Sequence, residues 1–352
     1  MDNLVNITDV CSEIFAGGDA PKSNMSATKT DEYKIPIFSN GESDDGLYGY
    51  TNFARVTEPS VTVSARGTIG FVAVRNEPFV PIVRLISLTP NPEKIEIRYL
   101  YYAIQNYKFD GSGTSIPQLT VPMLKKYAFF LPNKQQQLAI INRLDGICSL
   151  ISLRKQQLSK LDELVKSRFI ELFGDPITNS NNLPTERMEL RFNLKAGITT
   201  AADDIHEFEE GMYEIPCYGG NGIRGYVREK SYTGNYPIIG RQGALCGNVQ
   251  YATGEFHATE HAVLVSLLKN DNSVWVYHLL KLMDLFRYHT GAAQPGLAVK
   301  TLNTVEVIVA DKRKQDQFAA FVEQTDKSKL VIQKSLEKLE TLKKALMQQY
   351  FG

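Results

Sequence analysis

Gly113-Thr-Ser-Ile-Pro-Gln-Leu119 and Gly291-Ala-Ala-Gln-Pro-Gly-Leu297 open two segments that run in step to their ends. Each is followed by a short β-like run and then a long helical run. The first passes through Leu158-x-x-Leu161-x-x-Leu164 to Phe173-Gly174, the second through Leu336-x-x-Leu339-x-x-Leu342 to Phe351-Gly352. Gly113 and Gly291 are 178 positions apart, and so are Phe173 and Phe351. A common offset at both ends of a long segment marks an internal repeat. The chain therefore reads as two copies of one unit, each a variable globular part followed by a long helix.

The globular parts echo each other upstream. Ile35-Pro-Ile-Phe38 and Val61-Thr-Val-Ser64 are short β-branched runs bounded by Gly, Asn, Asp and Pro, which is strand-and-turn chemistry. Ile97 to Tyr107 is compact and aromatic and predicts a buried helix. In the second copy, Ile215-Pro-Cys-Tyr218 with Gly225-Tyr226 echoes Ile35-Pro-Ile-Phe38 with Gly49-Tyr50. Ile239-Gly-Arg-Gln-Gly-Ala-Leu-Cys-Gly247 echoes Ser64-Ala-Arg-Gly-Thr-Ile-Gly70, which places Arg66 and Arg241 at matching positions. The skeletons agree and most side chains differ.

From about Asn133 to Phe173 the period becomes helical, with Ile147, Ile151, Leu158, Leu161, Val165 and Leu172 on one stripe and Arg154 and Arg168 at the remaining stripe positions. In the second copy Phe318, Val322, Ile332, Leu336, Leu339, Leu346 and Tyr350 do the same. Narrow stripes of this kind are coiled-coil seams. Gly174-Asp-Pro176 stops the first helix. A helix of about 37 residues is roughly 55 Å long, longer than one small domain can cover. It needs a partner of its own length, and the other copy supplies one, antiparallel. The expected fold is α+β: two β-rich mixed globular domains related by a pseudo-two-fold duplication, separated by a long antiparallel two-helix coiled coil. The expected boundaries are 1–132 and 175–310 for the globular domains and 133–174 and 311–352 for the helices.

Composition narrows the function. Lys plus Arg and Asp plus Glu both number 39, so the net charge is zero and the chain lacks the overall basic excess of many nucleic-acid binders. A basic groove balanced by acidic helix faces is still compatible with that total. The four cysteines, Cys11, Cys148, Cys217 and Cys246, form no C-x-x-C pair and read as reduced thiols. With no signal peptide at Met1-Asp-Asn-Leu-Val-Asn6 and no apolar run of membrane-spanning length, the expected location is cytoplasmic, without membrane contact. His257-Ala-Thr-Glu-His261 matches the H-x-x-E-H pattern of a metalloprotease class, but that pattern needs a helix. Gly254 before it and Ala262-Val-Leu-Val265 after it read as loop into strand, so a metal site is not expected. Gly219-Gly-Asn-Gly-Ile-Arg-Gly225 follows neither the dinucleotide nor the P-loop spacing, and no Asn-Pro-Pro-Tyr or Asp-Pro-Pro-Tyr methyltransferase signature occurs.

Taken together, Gly113-Thr-Ser-Ile-Pro-Gln-Leu119, Leu161-Asp-Glu-Leu-Val-Lys-Ser-Arg-Phe-Ile-Glu-Leu-Phe-Gly-Asp-Pro176, Ile35-Pro-Ile-Phe-Ser-Asn-Gly41, Ser64-Ala-Arg-Gly-Thr-Ile-Gly70, Ile239-Gly-Arg-Gln-Gly243 and Leu346-Met-Gln-Gln-Tyr-Phe-Gly352 carry a resemblance. The chain resembles, over essentially its whole length, the specificity (S) subunits of Type I restriction–modification enzymes. It departs from its own repeat at Gln294-Pro-Gly-Leu297, where the first copy has Ile116-Pro-Gln-Leu119. The resemblance implies two target recognition domains, each reading one half of a split double-stranded DNA sequence, and paired helices acting as a spacer. It implies docking of two modification (methyltransferase) subunits that bind S-adenosylmethionine and methylate adenine. Restriction and translocase subunits, with ATP and Mg, complete the complex. No cofactor and no catalytic centre are expected in this chain.

Sequence reading of DNA needs bidentate donors such as Arg to guanine and Asn or Gln to adenine, with Lys, Ser and Thr on phosphates. In the first domain the candidates are Lys22, Ser39, Asn40, Arg66, Gly67, Thr68, Thr114, Ser115 and Gln118. In the second they are Tyr218, Asn221, Arg224, Arg228, Arg241, Gln242 and Gln294. The bland alternative for each is turn chemistry between strands, since Gly, Asn and Ser dominate turns anyway. The alternative for the whole chain is a coiled-coil scaffold with two protein- or glycan-binding β-domains.

Overall fold

A computed structural model describes residues 4–107, 118–243, 245–291 and 295–352. The chain divides into two compact units, Met1–Arg154 with Ser335–Gly352, and Lys155–Lys334. In the first, a four-stranded antiparallel sheet has the order Cys11–Ala16, Ile86–Pro90, Ser60–Val63, Val72–Arg75. Val61, Val63, Ile86 and Leu88 on its central strands are fully buried, as β-branched and aliphatic residues facing a core should be. The helix Ile97–Asn106 lies against this sheet through Tyr99, Leu100, Ala103 and Ile104. A smaller sheet joins Leu47–Thr51, Ile35–Phe38 and Val80–Pro81, the last two strands parallel. A two-stranded ribbon pairs Leu4–Asn6 with Ala128–Phe130.

The second unit repeats this plan strand for strand. Its main sheet has the order Phe192–Ala196, Ala262–Leu267, Tyr236–Gly240, Val249–Ala252, under the helix Ser273–Leu282. The smaller sheet joins Gly222–Val227, Ile215–Gly219 and Glu255–Ala258, again with one parallel pair, and adds an edge strand at Tyr232–Thr233. Thr185–Arg187 pairs with Glu306–Ile308 as the ribbon.

The long helices are Lys134–Phe173 and Lys312–Phe351, 40 residues each, so about 60 Å long. Each has a capped start. The Asn133 side chain accepts from the Gln136 amide at 2.9 Å while Gln136 Oε1 accepts from the Asn133 amide at 3.3 Å, a capping box. Asp311, 178 residues on, accepts from the Arg313 and Lys314 amides. One turn later a buried glutamine ties each helix to its domain. Gln137 Oε1 accepts from the Glu96 amide at 2.8 Å, and Gln315 Oε1 from the Asn272 amide at 2.7 Å. The first helix ends at Gly174, whose φ of +78° favours glycine and whose added Cβ would meet Ser180 Oγ at 2.6 Å.

Within the second unit the two helices run antiparallel. Phe173 and Phe169, late in the first helix, pack edge-on against Phe318, early in the second, with ring centroids 5.9 and 5.3 Å apart. Asp162, earlier in the first, pairs with Lys329, later in the second, at 2.7 Å. Within the first unit, Ile141 and Leu144 share a core with Met347 and Phe351, and Arg143 donates to the Tyr350 hydroxyl at 3.0 Å. Of the residues expected on the seam, Ile147, Val165, Phe318, Val322 and Leu336 are buried. Ile151, Leu158, Leu161, Leu172, Ile332, Leu339, Leu346 and Tyr350 are half-buried. Arg168, also expected there, bonds Glu171 on its own helix.

The Phe-Gly end of each repeat enters the core of the other repeat's unit. Phe351 packs on Tyr99 in the first unit, centroids 5.0 Å apart, and Phe173 on Trp275 in the second at 5.7 Å. One core position differs in kind. In the first unit Val10 and Ile95 are both 1% exposed. The matching residues of the second unit are Arg191 and Asp271, whose side chains are 8% and 3% exposed. The match follows from the backbone, since the Asn91 amide bonds Val10 O and the Leu268 amide bonds Arg191 O. Arg191 Nη2 lies 2.6 Å from Asp271 Oδ2, and Gln315 Nε2 adds a bond to Asp271 Oδ1 at 2.9 Å.

Candidate functional site

In both units one four-residue turn leaves the parallel strand of the smaller sheet and enters the main sheet. In the first it is Ile82–Leu85, closed by a Leu85 amide to Ile82 carbonyl bond of 3.0 Å; in the second it is Thr259–Ala262, closed by the Ala262 amide on Thr259 O at 3.0 Å. The backbone behind each turn is a glycine. A Cβ on Gly17 would meet Pro81 O at 2.3 Å, and one on Gly197 would meet Ala258 O at 2.2 Å. Only glycine permits that approach.

Around the first turn the loops are tied together by Asn40. Its Oδ1 accepts from the Ala65 amide at 2.7 Å and its Nδ2 donates to Val83 O. The Gly41 amide donates to Ser64 Oγ at 3.3 Å. Gln118 Oε1 then accepts from Arg66 Nη2 at 2.9 Å and lies 3.5 Å from Arg84 Nη1. Arg66 and Arg84 are both exposed. Asn40, Arg66 and Gln118, separated by up to 78 positions, are thus brought together, while Arg84 was not among the residues expected from sequence. Asn40 serves as a loop tie, and the exposed donors at the surface are the guanidiniums.

Around the second turn, the Arg241 amide donates to His261 O at 3.0 Å and the Leu297 amide to Arg241 O at 2.8 Å. Glu260 Oε1 sits 3.2 Å from His261 Nε2, and its Oε2 accepts from the Thr200 amide at 3.3 Å. Among the described residues, Arg241 Nε, Thr259 Oγ1 and His261 Nδ1 are buried there with no hydrogen-bond partner.

These contacts correct the expected match between Arg66 and Arg241. Leu119 bonds Ala65 O and Leu297 bonds Arg241 O, so Arg241 stands where the first repeat has Ala65, and Gln242 stands where it has Arg66. Counted from the matched loop openings, Arg66 lies two residues after Ser64 and Arg241 one after Gly240; the loop is closed by the Gly70 amide on Ser64 O in one copy and by the Gly247 amide on Gly240 O in the other, which makes it one residue longer in the second copy.

The other expected residues are more scattered. Lys22 is exposed on the loop after Cys11–Ala16, and Ser39 is half-buried beside Asn40. Gly67 and Thr68 are exposed at the tip of the Ser64–Gly70 loop. Thr114, Ser115 and Gln294 lie outside the described residues. Tyr218 packs edge-on against Phe256, 5.6 Å between centroids, and that burial raises its hydroxyl pKa. Asn221 accepts from Asn248 at 2.6 Å near the tip of the Ile215–Gly219/Gly222–Val227 hairpin, where Arg224 is exposed. Arg228 sits at the opposite end of that hairpin and donates to the Tyr213 hydroxyl at 2.7 Å.

His257 lies in a strand and His261 within the turn that follows it, so the two do not share a helix face. Both His257 ring nitrogens lie within 2.9 Å of hydroxyls, Thr200 Oγ1 and Ser231 Oγ, and burial lowers its pKa. Among the described residues no three His, Cys, Asp or Glu side chains gather to hold a metal ion. All four cysteines are free; burial pushes the Cys11 thiol up to about 12 and the Cys217 thiol up to about 11, which keeps both in the unreactive form. Among the described residues no helix is long and apolar enough to cross a membrane.

The family model for the Type I restriction modification DNA specificity domain matches the chain twice, over residues 3–163 and 192–341. The Type I restriction enzyme EcoprrI specificity subunit of Escherichia coli is 33% identical over 339 residues, which is 89% of this chain and 82% of that one. A putative type I specificity subunit of Mycoplasma pneumoniae, S.MpnORF507P, is 36% identical over 171 residues, 46% of this chain and 47% of the relative. Among solved structures, the S subunit of a Type I restriction–modification system from M. genitalium aligns with a TM-score of 0.65 at 19% identity, covering 99% of this chain and 96% of that one. A chain from a structural study of assembly and conformational transition in a type I R-M system aligns at 0.57 and 14% identity, with the same coverage. At these identities the two structures speak for the fold.

Proposed function

Because the chain belongs to the family of Type I restriction–modification DNA specificity subunits, we propose that it binds an asymmetric, two-part DNA target and directs partner subunits to it. The observation that carries this reading is the repeated loop cluster. Two units of one topology present the same turn in the same setting, but with different chemistry: Arg66, Arg84 and Gln118 in the first, Gln242, Glu260 and His261 in the second. Like skeletons with unlike donors and acceptors would read unlike half-sites.

In this reading the long helices hold two readers on one chain, so that two weak half-site contacts act together. The partners are two modification subunits that bring S-adenosylmethionine and methylate adenine, and restriction subunits that bring ATP and Mg. Their docking also accounts for the narrow seam. Leu138, Leu150, Leu153, Leu164, Leu330 and Val331 are exposed on the two helices, an apolar surface more extensive than scattered single residues need. This chain contributes recognition and no chemical step. The scaffold alternative is not favoured by the double family match.

The test is co-expression with a Type I modification subunit from the same host. A stable complex of two modification subunits per chain, with sequence-preferring DNA binding that the isolated chain lacks, is the expected result. A chain that purifies alone and never associates with an adenine methyltransferase would contradict it.

A further inference from the structure

The two matched turns differ in strain as well as in side chains. Val83 and Arg84 have φ of +51° and +64°, the left-handed region at both central positions of a turn. That pattern belongs to Gly, Asn and Asp, and for a β-branched residue it costs on the order of 1–3 kcal/mol. Packing does not repay it, since Val83 is 49% exposed. The conformation is imposed by two backbone bonds, Val83 N to Gly18 O at 2.7 Å and Arg84 N to Gly17 O at 2.9 Å. Its consequence is to set Arg84 beside Arg66 on the single acceptor Gln118 Oε1. Among the described residues neither guanidinium has a carboxylate partner, so two exposed cations are held close together by the fold.

At the matched place in the second unit, neither Glu260 nor His261 has positive φ, and the exposed chemistry is inverted. Glu260 presents a carboxylate whose side chain is 32% exposed. It is steadied by the Thr200 amide and His261, and in the same turn and its neighbouring loop Arg241 Nε, Thr259 Oγ1 and His261 Nδ1 are buried without a hydrogen-bond partner among the described residues. Where those three buried polar atoms lie, the first unit has Ala65, Ile82 and Arg84.

We infer that these two turns are the base-reading positions of the two half-sites. Arg84, anchored on Gln118 Oε1 beside Arg66, donates to the O6 and N7 edge of a guanine in one half-site. Glu260 accepts from the exocyclic amino group of a cytosine or adenine in the other. Donor chemistry from Arg84, third in its turn, and acceptor chemistry from Glu260, second in the other, make the halves unlike at turns whose skeletons coincide. The inference rests on the DNA-specificity reading and adds to it which residues discriminate.

The test is the methylated motif, read by single-molecule sequencing of DNA from cells carrying this chain with its modification subunits. Arg84→Ala should relax one base position in one half-site, with discrimination there falling roughly 10- to 100-fold, and leave the other half unchanged. Glu260→Gln should do the reverse, relaxing one position in the other half only. Should Arg84→Ala lose all methylation, Arg84→Lys must keep methylation with altered preference at a single position. An unchanged motif in both variants would overturn the inference, as would a uniform loss over all sites in complexes that still assemble. The wild-type chain separates this from the parent reading, because absence of any two-part motif in wild type counts against the DNA-specificity reading itself.

Discussion

The exchange of Val10 and Ile95 for Arg191 and Asp271 between the repeats is an experiment the chain has already run, and it can be completed. Arg191→Val alone leaves the Asp271 carboxylate 3% exposed, with Gln315 Nε2 as the remaining side-chain donor. Stripping one partner from a buried pair costs about 3–5 kcal/mol, because the other charge stays desolvated. Asp271→Ile alone strands the guanidinium, with Glu186 at 3.2 Å in partial compensation, and belongs in the same range. The double substitution Arg191→Val/Asp271→Ile removes both charges and installs the pair that the first unit already packs at 1% exposure. It should be neutral or more stable than wild type by about 1–4 kcal/mol. The assay is urea unfolding followed by tryptophan fluorescence. Trp275, the one tryptophan of the chain, is fully buried in the second unit and reports on it specifically. A double variant no more stable than the worse single variant would refute the reasoning, since it would mean that the two units do not share interchangeable cores at this position.

Three further outcomes follow from the same contacts. Phe351→Ala should destabilise the first unit by about 3–5 kcal/mol and leave the Trp275 transition nearly unmoved, while Phe173→Ala, at 0% exposure, should shift that transition by a similar amount. His278 is held neutral in the fold, its pKa lowered to about 3 by burial, with the Lys281 and Lys329 ammoniums adding and Asp162 opposing. Below the ordinary value of 6.5 the unfolded chain binds a proton that the folded chain refuses. Stability of the second unit therefore falls with pH from about 6.5 downward, by at most about 1.4 kcal/mol per pH unit. His278→Phe should flatten that slope in unfolding curves taken between pH 6.5 and 5. Removing one heptad from each long helix, around Arg154/Lys155 and Lys334/Ser335, takes out roughly 10 Å of helix. The gap in the methylated motif should shrink by about three base pairs with both half-sites intact; altered half-sites would refute the spacer role.

Much of the fold was legible because it depends on periodicity. The 178-residue offset, the two helix spans, the Ile35–Phe38 strand and the Ile97–Asn106 helix all follow from patterns that local physics enforces. The leucine triads were legible only in part. Leu164 and Leu342 are 48% and 46% exposed, because steps of three lag the helical turn and carry the third leucine off the seam. Phe169, Phe173, Met347 and Phe351 took their place in the cores, and a heptad count gives no sign of where such a terminal ring docks. The candidate site was less legible still. Equating Arg66 with Arg241 matched two arginines by type, whereas strand register sets Arg241 against Ala65 and Gln242 against Arg66. Arg84 carried no motif at all. Its setting comes from positive φ at Val83 and Arg84, which sequence chemistry argues against and a tertiary contact with Gly17 and Gly18 overrides.

The most direct measurement is the adenine methylome of the native host with and without this chain. Loss of methylation at one two-part, asymmetric motif on deletion, and its return when the chain is restored, is what the account predicts. A methylome identical in both strains, in a host whose modification subunits are active, would contradict it.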